Sequence, residues 1–154
     1  MLSRSGIHAI RAMVTLATLA PNEFCGVNTI ARVTGSPRNY LGKLLLQLSR
    51  HGLVESRKGL GGGFRLTRPA GEMCLLEVIS AIEDTGRWTE CALSGRACSD
   101  DEPCMVHTRF ARAREAFLAF LRETTIAELA LSHARVEERA SALTGTLRTV
   151  PLGS

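Results

Sequence analysis

Acids are scarce at the start of this chain. Residues 1–68 contain only Glu23 and Glu55 against ten Lys and Arg, a net charge of +8, whereas residues 69–154 contain thirteen acids against nine bases, a net −4. A stretch so short of negative charge attracts polyanions, and a basic half joined to an acidic one points to a polyanion-binding module with a separate task behind it. Long apolar runs are missing too. The apolar stretches are short and carry charges at helical spacing, so no membrane span is expected. The opening MLSRSGIHAIRAM carries Arg4 and Arg11 and no unbroken apolar segment, which argues against a signal peptide and makes the cytoplasm the expected location. Catalytic fingerprints are also lacking: no Ser/His/Asp set, no paired carboxylates in an apolar context and no cofactor motif stands out, so an enzyme is not expected. What remains, 154 residues with 45% hydrophobic and 22% charged, suits one compact domain or a small domain with an appendage.

Within the basic half, Ile7, Ile10, Met13, Val14 and Ala17 recur at spacings of three and four, one face of an amphipathic helix over Ser5 to Ala20 that Pro21-Asn22 ends. Asn28 is placed to cap a short helix, Thr29 to Val33, which stops near Gly35. Ser36-Pro37 restarts a helix, with Ser as cap and Pro in the first turn. That helix has Leu41, Leu44, Leu45 and Leu48 on one face and Arg38, Asn39, Lys43, Gln47 and Arg50 on the others. Two helices joined by a short Gly-containing turn, the second cationic outside, fit a helix-turn-helix, although an ordinary packed pair reads the same way. The next segment, LVESRKGLGGGFRLTRP, favours the first reading. It predicts two strands, Leu53 to Arg57 and Gly63 to Thr67, around a Gly-rich tip, and a hairpin directly after a helix-turn-helix is a winged helix. A nucleotide phosphate loop would open a helix instead, so duplex DNA is the expected polyanion. Arg38, Asn39 and Tyr40 are the candidates for base or phosphate contact, Lys43 for phosphate, and Arg57, Lys58 and Arg65 for the wing.

The acidic half predicts a short apolar helix from Leu75 to Ile82, ended by Asp84-Thr85-Gly86. A long helix follows over Val106 to Leu121, with Phe110, Ala113, Phe117 and Phe120 or Leu121 in one stripe. A long amphipathic helix late in a small chain needs a partner, its own core or a second subunit. IAELA adds a turn or two of helix, and the tail from Ser132 decays into a stretch of disordered composition.

Between these helices lies ECALSGRACSDDEPCMVH, with Cys91, Cys98, Cys104 and His107 on a polar background. Four soft or borderline ligands so close together point to a metal rather than to unpaired surface thiols, which oxidise. Zinc knuckles usually set cysteines two to four residues apart, whereas the intervals here are six and five. Such wide loops suit something larger than one ion, such as an iron–sulfur cluster. Cys25 and Cys74 have no place in this set; Cys74 begins an apolar helix, where burial is expected. His51 and His133 read as bystanders.

Over roughly residues 1–130 the chain resembles the iron–sulfur-dependent dimeric winged-helix transcription regulators, the group that includes IscR, NsrR and RirA. The resemblance rests on MLSRSGIHAIRAM, SPRNYLGKLL, GLVESRKGLGGGFRL, LLEVISAIE, the cysteine loop and TTIAEL. It implies a mainly α fold with a small β-hairpin wing, a winged helix-turn-helix plus a long dimerisation helix, in a homodimer on a DNA operator. It implies a cluster held by Cys91, Cys98 and Cys104, one per subunit, with His107 matching the fourth ligand of the 2Fe–2S type. His8 lies where other members take that ligand from the partner subunit, and a 4Fe–4S cluster is the other type open. The layout expected is a DNA-binding domain at 1–68, a ligand loop (91–107) and dimerisation helix within 69–131, and a tail at 132–154. The first cysteine interval is one residue longer than is usual in IscR and NsrR, and Gly42 replaces an acid of IscR, so no operator is carried over. The function implied is transcriptional control, with a repressor the expected form, through a cluster that senses iron, nitric oxide or redox state. The alternatives are a thiol- or zinc-based redox regulator of the same fold or, lower, an iron–sulfur electron carrier or enzyme.

Overall fold

The computed structural model describes residues 2–90 and 103–135. Its first element, helix α1 (Arg4–Ala17), starts where Ser3 Oγ accepts the Gly6 N–H at 3.0 Å. Gly6, Ala9, Ala12, Met13 and Leu16 are buried, a stripe of mostly small side chains that lets neighbouring helices approach closely. Helix α2 (Val27–Thr34) begins two residues earlier than its sequence implies: Gly26, in extended conformation, is the cap and Asn28 stands exposed inside the helix. Gly35 ends it in the left-handed region (φ 64°), where its missing Cβ costs least.

Helix α3 (Arg38–Arg50) buries Leu41, Leu44, Leu45 and Leu48, the face expected. Its cap position falls on Pro37, not on Ser36. Ser36 is buried and uses its hydroxyl elsewhere, 2.6 Å from His8 Nδ1 and 2.8 Å from Thr34 Oγ1. Polar partners on α1 and at the end of α2 outcompeted the local cap.

The hairpin β1 (Val54–Arg57) and β2 (Gly63–Leu66) is antiparallel, with Val54 opposite Leu66 and Glu55 opposite Arg65. Phe64 also exchanges two backbone hydrogen bonds with Cys25, each 2.9 Å, which ties the wing to the α1–α2 connection. A Cβ on Gly63 would sit 2.3 Å from the Cys25 carbonyl oxygen, so the close approach needs glycine there.

Helix α4 (Leu75–Ser80) is short, with Leu75, Val78 and Ile79 buried. The Glu77 carboxylate reaches back to the Cys74 N–H at 3.0 Å and pairs with Arg68. Cys74 itself is only half-buried, since it sits at this helix end beside an isolated bridge to Thr125. Helix α5 (His107–Glu123) runs two residues past its expected end. A capping box then opens a further helix covering 126–135: Thr125 N–H donates to Glu128 Oε2 at 2.7 Å and Glu128 N–H to Thr125 Oγ1 at 3.2 Å.

One core joins the two halves of the chain. Leu121 and Ile126 are buried in the same cluster as Met13, Leu45 and Val54, and the Leu75 N–H donates to the Thr124 carbonyl at 3.0 Å. Among the described residues no helix is long and apolar enough to cross a membrane. The expected disordered tail lies mostly outside the described residues.

Candidate nucleic-acid interface and metal-ligating loop

The N-terminus of α3 is built to meet negative charge. Its first turn carries no acid and no side-chain cap, so its N–H groups and the positive end of its dipole face outward. Arg38, Asn39 and Lys43 are exposed there. Tyr40 is different: its hydroxyl lies 2.6 Å from Ser5 Oγ and its ring meets the His8 ring edge-on, centroids 5.7 Å apart. It braces α3 against α1. His8, the candidate for a ligand to a partner's cluster, stands in this same brace through Ser36. This group of Ser5, His8, Thr34, Ser36 and Tyr40 has no sequence signal, because its members are brought together from three segments.

The wing residues also divide. Lys58 is exposed. Arg65 is half-buried, ion-paired with Glu55 and donating to Asn22 Oδ1 at 2.8 Å. Arg57 is exposed but donates to the Gly61 carbonyl at 2.9 Å. Both guanidinium groups lie over the Phe24 ring, Arg57 at 4.2 Å and Arg65 at 4.8 Å from its centroid. Cation–π attraction therefore holds both arginines. Phe24 is a lone aromatic in a loop, and sequence reasoning passes over it.

In the acidic half, Cys91 and Cys98 lie outside the described residues. Cys104 is exposed, and the His107 N–H donates to the Cys104 carbonyl at 3.0 Å, so the last two members of the donor set share the turn that begins α5. Trp88 precedes the loop. Its ring packs edge-on against Phe117 of α5, centroids 5.4 Å apart, and its buried Nε1–H has no hydrogen-bond partner among the described residues. Cys25, away from this set, is buried with its backbone in the wing bridge; burial first, then the Glu23 charge, pushes its thiol up from the usual range.

A cationic helix-turn-helix with a wing, followed by a donor-rich loop and a long helix, has known counterparts. A family model described as the iron-dependent transcriptional regulator Rrf2 matches residues 2–132. The chain belongs to the Rrf2 family. The HTH-type transcriptional regulator IscR of Klebsiella pneumoniae is 31% identical over 128 residues, spanning 83% of this chain and 78% of that protein. Among solved structures, CymR, the global cysteine regulator of B. subtilis, matches with a TM-score of 0.74 at 24% identity, covering 86% of this chain and 97% of that one. T. potens IscR matches with a TM-score of 0.70 at 22% identity, covering 87% and 88%. As an Rrf2 protein the chain is a DNA-binding transcriptional regulator and not an enzyme, and its mainly helical fold with a two-stranded wing is the Rrf2 fold.

Proposed function

We propose that this Rrf2 protein is a homodimeric regulator whose operator binding is set by an iron–sulfur cluster held by Cys91, Cys98, Cys104 and His107. The observation that carries this is the position of Cys104 and His107 at the start of α5, whose far end buries Leu121 in the core beneath the winged helix. Three thiolates and an imidazole fit a cluster, the imidazole favouring the 2Fe–2S type, and the Klebsiella relative is named IscR. When bound, the cluster supplies a response to iron, nitric oxide or redox state.

The chain's own residues turn ligation into shape. Cys104 and His107 orient the first turn of α5, and the Trp88–Phe117 contact ties the segment before the loop to the middle of the same helix. That helix spans seventeen residues, yet Leu121 is its one buried position, while Phe120 is 49% exposed. A partner subunit's α5 covers this face and spaces two copies of α3 on a two-fold operator. Arg38 and Asn39 then contact bases or phosphates and Lys43 a phosphate, with Lys58 at the wing; Arg57, Arg65 and Tyr40 act mainly by bracing. Residues 1–68 form the reading head and 69–131 the sensing and pairing part. Coupling of about 1–3 kcal/mol between loop and operator would change affinity roughly five- to 150-fold.

The test is protein purified without oxygen, with its absorption spectrum, iron and sulfide measured per chain. Visible bands with two irons and two sulfides support this reading and His107; four of each shift the fourth ligand to His8. Colourless protein that cannot be reconstituted favours the second reading, in which the cysteines act as thiols or hold zinc. The fold likeness to CymR, named a cysteine regulator, keeps that reading in play.

A further inference from the structure

We infer that Leu60 is an apolar DNA contact at the tip of the wing, presented to the minor groove by a strut made of Phe24, Arg57 and the Gly61 carbonyl. The inference rests on the DNA-binding reading and adds a specificity-determining residue to it. Leu60 is fully exposed, at 108% of its reference area, so it does no packing within the chain. Scattered exposed leucines are ordinary on protein surfaces. This one differs in how it is held.

The tip is a closed turn. Gly62 N–H donates to the Gly59 carbonyl at 3.0 Å, with Leu60 and Gly61 as the central residues, and Gly61 has φ +71°, the positive value a type II turn requires at that place. Arg57 donates to the Gly61 carbonyl at 2.9 Å while its guanidinium rests 4.2 Å from the Phe24 ring centroid. The same ring carries Arg65, which Asn22 and Glu55 also hold. A flexible, solvent-exposed tip would need none of this. The arrangement anchors a single leucine to the α1–α2 connection and aims it away from the body of the wing.

Its surroundings choose the partner. Exposed Arg57 and Lys58 precede it, and Glu55, the acid of the hairpin, is already paired with Arg65. A narrow apolar tip flanked by glycines and cations fits a groove about 6 Å wide with phosphates on both rims, and apolar side chains placed there act as wedges. Guanine puts an amino group on the minor-groove floor and A·T pairs do not, so Leu60 favours A·T under the wing.

The experiment uses the full chain and a labelled duplex recovered by the wild-type protein from a randomised 30-base-pair pool. Affinity is measured by anisotropy across a salt series. Leu60→Ser should lose about tenfold in affinity, about 1.4 kcal/mol, with the salt slope unchanged because no cation is removed. Replacing A·T by G·C under the wing should weaken wild-type binding and leave Leu60→Ser nearly indifferent. Phe24→Leu should lose affinity at an unchanged melting temperature, and Phe24→Tyr, which keeps a cation–π face, should restore it. Wild-type protein that binds while Leu60→Ser binds equally well, with the same base preference, overturns the inference alone. Wild-type protein that recovers no duplex in either the cluster-loaded or the cluster-free form overturns the regulator reading and this inference with it.

Discussion

Helices α3 and α5 are of similar length and opposite economy. α3 buries four leucines and braces its start through Tyr40, so its outward residues are held by a finished core. α5 buries Leu121 alone; Cys104 is exposed in the turn before it, and half-buried His107 is its first residue. A helix that spends its apolar face inside the chain can offer a rigid polar face to DNA. A helix that does not leaves that face open to cover, and what covers it can control it.

That contrast can be broken at several points. Leu45→Ala in α3 should cost about 2–5 kcal/mol in urea unfolding, since a fully buried leucine leaves a cavity; a cost below about 1 kcal/mol would mean the α3 core is not closed. Arg38→Ala should leave folding intact and remove about 1–3 kcal/mol of operator binding, read by anisotropy on the selected duplex. Wild-type affinity would leave the N-terminus of α3 out of the interface.

Phe120→Ala in α5 should cost the chain less than about 1 kcal/mol, because its ring is half-exposed, yet shift sedimentation from dimer toward monomer. Unchanged sedimentation would sink the assignment of α5 as the pairing helix. The smallest effect belongs to Glu77. Burial works against its charge, but the Cys74 N–H and Arg68 together hold its carboxyl below the usual carboxylate range. A folded-state pKa below the unfolded one stabilises above the unfolded value, and the gain fades as pH falls through the folded value. Glu77→Gln should therefore cost about 0.5–1 kcal/mol at pH 7, discounted for solvent screening, with the gap to wild type closing below roughly pH 4. A gap that does not narrow as pH falls through the acid range would assign the effect to packing.

Much of the fold was legible beforehand because it is written in period and punctuation. The leucines of α3 at spacings of three and four, the Gly-rich tip between two β-prone runs, and the helix-forming IAELA each carry their structure locally. Errors came at helix starts. Asn28 and Ser36 look like caps, but Gly26 already had the extended conformation a cap needs, and the hydroxyl of Ser36 was taken by His8 and Thr34. For α5 the stripe left Phe120 and Leu121 as equals, and only the neighbouring Thr124–Leu75 link turned Leu121 inward. The candidate site was legible as residue types: cations on the helix and wing, sulfur and imidazole on the loop. Which cations face out and which act as struts was not.

By itself, then, the sequence determined the charge division, the winged-helix order of elements and the crowding of three cysteines and a histidine between Cys91 and His107, because composition and spacing express those directly. Tertiary structure alone decided that Phe24 grips Arg57 and Arg65, that His8, Ser36 and Tyr40 brace the reading helix, and that Leu60 stands clear at the wing tip. Those contacts join residues from distant segments, and attractions of a few ångströms between them arise only after the core has set their distances.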